Sequence, residues 1–74
     1  MKIYSIRRKD CGAHKYDITV EAVVIAENED QAFDVIYRDA INWVSDEPDS
    51  VIIEIGIAKE CERDRLVVER YKPG

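Results

Sequence analysis

From Tyr16 to Ala26 the chain alternates, with Ile18, Val20, Ala22, Val24 and Ala26 on one face and Asp17, Thr19 and Glu21 on the other. A period of two is that of a strand with one face on a core. At Asn28 the period changes. Asn28 followed three residues later by Gln31 has the form of a capping box, in which the Asn oxygen accepts from an early helical amide and the Gln side chain reaches back. A helix is therefore predicted from about Glu29. Along it Ala32, Phe33, Ile36, Tyr37, Ala40 and Ile41 form a stripe wide enough to cover a small sheet. A strand that passes directly into a helix of this kind restricts the chain to folds in which a helix packs on a sheet.

The flanking segments complete the pattern. Tyr4 and Ile6 repeat at period two in a short first strand that ends in the basic run Arg7-Arg8-Lys9, with a turn at Asp10-Cys11-Gly12-Ala13. After the polar, proline-marked loop Ser45–Ser50, the run Val51–Ile57 reads as a third strand with Val51, Ile53, Ile55 and Ile57 inward. Gly56 within it marks a bulge or a close backbone approach. Leu66–Tyr71 closes the chain as a fourth strand, and its many charges suit an exposed edge. The 74 residues allow one domain, residues 1–74. The expected class is α+β, one helix packed on a four-stranded, mainly antiparallel sheet (ββαββ). A spatial order 2-1-3-4 makes the sheet antiparallel throughout and is preferred to 1-2-3-4, which needs a parallel pair. In either order one sheet face stays open, carrying Thr19, Glu21, Val23, Ile25, Ile52, Glu54 and Gly56, and its apolar members suit a dimer contact or a partner groove.

Charge is segregated along the chain. Residues 27–49 hold eight acids (Glu27, Glu29, Asp30, Asp34, Asp39, Asp46, Glu47, Asp49) against one base, Arg38, a local net of 1 − 8 = −7 within a total of −5. A concentrated negative field steers basic partners and repels phosphates. Arg7-Arg8-Lys9 with Lys15, Tyr4 and Tyr16 is the one basic and aromatic cluster, and with a sequence pI near 4.7 direct nucleic-acid binding is disfavoured. No signal-peptide layout opens the sequence and no apolar run approaches the roughly 20 residues of a membrane span, so a cytoplasmic protein without a membrane segment is expected.

Catalytic and metal chemistry find little to work with. Cys11 and Cys61 fall in turns at opposite ends of the expected sheet, roughly 20 Å apart at ~3.3 Å per residue, so two free thiols are predicted. Cys11-Gly12-Ala13-His14 has a ligand-like spacing, but a closed zinc site wants four ligands and the chain holds one His and one further Cys. Adjacent Cys11 and His14 lack a third orienting group. The three glycines are isolated, so no phosphate-cradling loop forms. Neither an enzyme nor a cofactor is expected. Trp43, at the helix exit, is expected to cap the core edge, with an interface anchor as the alternative.

The layout "KIYSIRR", "YDITVEAVVIAENEDQAFDVI", "SVIIEIGIAKE" and "RLVVERYKPG" resembles small proteins common in bacteriophages and mobile elements. The resemblance spans nearly the whole chain and rests on strand and cap patterns. Small acidic phage proteins of this build include inhibitors of host defence, anti-CRISPR proteins among them, some of which occupy basic nucleic-acid channels. They share no inhibitory motif that transfers residue by residue. What the resemblance implies, together with the charge, is a non-catalytic binding protein of the host cytoplasm. Its acidic surface (Glu27, Glu29, Asp30, Asp34, Asp46, Glu47) would cover a basic surface of a host nucleic-acid-handling or defence complex. The competing expectation is a small accessory module that self-associates, as a homodimer, through its open sheet face or edge strand.

Overall fold

A computed structural model of the protein describes residues 1–9, 17–40, 43, 50–59 and 63–72. Cys11, His14, Asp46, Glu47 and Cys61 lie outside the described residues, so the thiol, metal and loop expectations placed on them do too. The elements are β1 (Lys2–Arg8), β2 (Ile18–Ala26), α1 (Glu29–Asp39), β3 (Ser50–Ile57) and β4 (Arg65–Lys72). They form one helix on a four-stranded antiparallel sheet of order β3-β1-β2-β4.

This order shares the β2-β1-β3 neighbourhood with the expected 2-1-3-4, but β4 lies beyond β2 and not beside β3. β2 is buried at every position but Glu21 and Val23, the profile of a central strand, and β4 gives it a second neighbour. The charged β4 also finds its partners there. Arg70 pairs with Glu21 at 3.5 Å, the Thr19 hydroxyl donates to the Glu69 carboxylate, and the Tyr71 hydroxyl donates to Asp17 at 3.0 Å. Thr19, expected on the open face, is fully buried by this pairing. β4 and β3 are the two edges.

The helix forms where the sequence breaks period. The Asn28 side-chain oxygen accepts from the Gln31 amide at 2.8 Å, and the Gln31 side chain accepts from the Glu27 amide at 2.6 Å. Two amides that no helical carbonyl reaches are thereby satisfied. Ala32, Phe33, Val35 and Ile36 turn inward onto β2 and β4, joining Tyr4, Ile6, Ala22, Val24, Ala26 and Trp43 in the core. Trp43 thus sits in the core. Tyr37, expected in the buried stripe, is 47% exposed, and Val35 takes its place. Tyr37 stands a further ~100° round the helix from Ile36, beyond the face the sheet covers.

β3 carries the largest correction. Ser50, Ile52 and Glu54 stand opposite Arg8, Ile6 and Tyr4, so Ile52 is the residue that packs against the core. Val51 and Ile53 face the open side, and Ile53, Ile55 and Ile57 are exposed. A one-residue difference in phase inverts every side chain of a strand, and adjacent Ile52 and Ile53 make both phases apolar. Glu54, expected on the open face, turns to the helix side and pairs with Lys2 at 3.0 Å. That contact raises the Lys2 ammonium above its ordinary range. The register slips by one residue at Ile55, a bulge beside Gly56, as the glycine implies. The Ile3 Cδ1 lies 3.6 Å from where a Gly56 Cβ would stand.

Candidate functional site

Two surfaces stand out, one on each side of the sheet. The first is acidic and belongs to the helix. Glu29 and Asp30 occupy its first turn, where the positive end of the helix dipole favours carboxylates, and Asp34 follows one turn after Asp30. Glu27 precedes the cap. All four are exposed, Asp30 and Asp34 because they lie opposite the stripe of the helix that the sheet buries. Among the described residues none of the four carboxylates makes an ion pair. Arg38, the base of this segment, is spent elsewhere: its guanidinium holds Asp39 at 2.9 and 2.8 Å and reaches Asp64 at 3.2 Å. The hydrogen bonds from Arg38 hold the Asp39 carboxyl below the usual carboxylate range, and Asp39 in turn pushes the guanidinium higher still. Of the expected site residues, Glu27, Glu29, Asp30 and Asp34 are exposed at the start of α1, with Asp30 and Asp34 on its outward side and Glu29 in line with the buried Phe33 and Ile36, while Asp46 and Glu47 are outside the described residues.

The second surface is the open sheet face, which the pairing registers arrange in three transverse rows. Across β3, β1, β2 and β4 the first row is Val51, Arg7, Glu21, Arg70; the second is Ile53, Ser5, Val23, Val68; the third is Gly56, Ile3, Ile25, Arg65. Directly paired residues share a face, so each row is continuous. The middle row is apolar at three of its four positions and wet at both ends, with Ile53 54% and Val68 57% exposed. The flanking rows add three arginines and one glutamate. The sheet thus separates an acidic outer face on the helix from an apolar, basic face on its other side.

This second surface was only half legible in the sequence. Alternation in β2 puts Glu21 and Val23 outward and the β1–β2 register sets Arg7 beside Glu21, but Arg70 and Val68 join them only once β4 is known to lie beside β2. A depression of about 200 Å³ between β2 and β4 is lined by Glu21, Ala22, Val23, Val68, Glu69 and Arg70. It is smaller than the roughly 300 Å³ at which small-molecule sites begin. Among the described residues no three His, Cys, Asp or Glu side chains are grouped to hold a metal ion, and no helix is long and apolar enough to cross a membrane. No family model, curated protein or solved structure matches the chain.

Proposed function

We propose that the protein is a non-catalytic binding module whose acidic helix surface covers a basic surface on a partner, in the manner of phage-encoded inhibitors of host nucleic-acid-handling or defence complexes. The observation that carries this reading is the exposure of Glu27, Glu29, Asp30 and Asp34 around the start of α1, none of them in an ion pair among the described residues. A cap and a buried stripe fix the helix, so the backbone that carries the carboxylates needs no ordering at the moment of binding. Arg38, the base able to neutralise them, is held by Asp39 and Asp64. A field of this kind accelerates encounter with a basic partner and repels competing phosphates. The small size of the β2–β4 depression and the isolation of the glycines favour binding over catalysis. On this reading the module acts in the cytoplasm of a host cell.

The test is capture of partners from a bacterial lysate by wild type and by the Asp30→Lys/Asp34→Lys variant, followed by titration of the purified partner at low and high salt. A basic complex held by wild type, released by the double reversal and weakened steeply by salt supports the reading. A partner retained equally by both proteins, or binding indifferent to salt, overturns it.

A further inference from the structure

We propose that two copies of this chain associate face to face through the open side of the sheet, about a two-fold axis that runs parallel to the strands between β1 and β2. Such an axis exchanges β1 with β2 and β3 with β4, and lays each transverse row of one copy on the same row of the other. Under that operation the first row sets Arg7 against Glu21 and Val51 against Arg70, the second Ile53 against Val68 and Ser5 against Val23, and the third Ile3 against Ile25 and Gly56 against Arg65. Arg7 then faces the second copy's Glu21 and Glu21 faces the second copy's Arg7, which closes two ion pairs across the contact. In the apolar row Ile53 faces Val68, so the two side chains of that row left more than half exposed in one copy cover each other. In the third row Arg65 comes over Gly56, a position without a side chain to displace it.

Charge selects this arrangement over the other face-to-face two-fold. An axis across the strands would lay the first row on the third, setting Arg70 against Arg65 and the Glu21 carboxylate against Ile25. Like charges and an unpaired carboxylate on apolar surface both oppose association. Four strands at about 4.8 Å and seven residues at about 3.4 Å outline a footprint of roughly 450 Å² per copy, the size of a small, concentration-dependent contact. Two sheets packed in this way form a sandwich about 10 Å thick, the usual geometry for apolar sheet faces. Both acidic helices end on the outside, pointing away from each other. The dimer therefore stands or falls independently of the helix reading, since Asp30 and Asp34 take no part in it.

The test is sedimentation equilibrium on wild type, Arg7→Glu, Glu21→Arg and an equal mixture of the two variants, with circular dichroism to check each fold. In Arg7→Glu the facing pairs become Glu against Glu, and in Glu21→Arg they become Arg against Arg. Each variant alone should associate about tenfold or more weakly than wild type, while the mixture, in which both pairs are again opposite in sign, should recover to within a few-fold of it. Recovery by mixing requires the pairs to form between copies, because neither protein changes internally. A wild type that stays monomeric to high micromolar concentration overturns the proposal, and so does a mixture no tighter than its components. Since Glu21 also pairs with Arg70 in its own chain, Val68→Glu provides a second measurement should Glu21→Arg unfold: a carboxylate in the apolar row should abolish association, and a dimer that survives it overturns the proposal.

Discussion

Single side chains settle where the chain changes course. Asn28 ends the strand geometry and begins the helix with one accepted hydrogen bond, and replacing it with alanine leaves that amide unsatisfied. Asn28→Ala should lower stability by about 1 kcal/mol in urea unfolding, whereas Asn28→Ser should cost a few tenths. Asp17 adopts φ 58, a left-handed conformation that aspartate tolerates, at the entry to β2. It accepts from Tyr71 there, and burial together with that bond raises the phenol above its ordinary range. The Arg38–Asp39 contact links stability to acid. Because the folded Asp39 carboxyl lies below its unfolded value, its contribution is complete above the unfolded range near about 4 and disappears as pH falls through the folded value. The stability difference between wild type and Arg38→Met should thus stay level from neutral pH down to mild acid and shrink below it, which urea titrations at stepped pH will measure. The cap was legible because it spans four consecutive residues. The reach of Arg38 to Asp64 was not, since 26 residues separate them and only the placement of β4 brings them together.

Among the elements, β2 and α1 match their sequence patterns and β3 does not. β2 sets Ala22, Val24 and Ala26 inward and the half-buried Glu21 and Val23 outward, as its alternation implies, although Thr19 is buried against β4. β3 reads Val-Ile-Ile-Glu-Ile-Gly-Ile, apolar in either phase, so its face depends on which residue meets Ile6 of β1. That residue is Ile52. Ile52→Ala should therefore cost about 2 kcal/mol or more, while Ile53→Thr at dilute, monomeric concentration should stay within about 1 kcal/mol of wild type. The opposite ranking in thermal or urea unfolding would restore the inward phase for Ile53. The outward positions of Asp30 and Asp34 were legible from helical spacing alone, because solvent-facing positions of a capped amphipathic helix need no partner to define them.

At the scale of the whole molecule, the sheet order sets which backbone groups are shared and which meet solvent. β1 and β2 each have a neighbour on both sides, and β3 and β4 have one. Amide exchange should be slowest in β1, β2 and the buried face of α1, and faster at the outward-pointing amides of the two edges. Protection of β3 equal to that of β2 would point to a further strand paired on that edge.

The sequence by itself determined the element list, the cap, the core face of β2 and the acidic helix, because each depends on contacts within a few residues or on the repeat of one element. Only the tertiary structure decided that β4 lies beside β2, that Ile52 and not Ile53 turns inward, and that Arg7, Glu21, Arg70 and Val68 form parts of one surface. These depend on pairings between strands distant in the chain, where several registers satisfy the local pattern. Burial on both faces of β2 and the charge partners of β4 select among them.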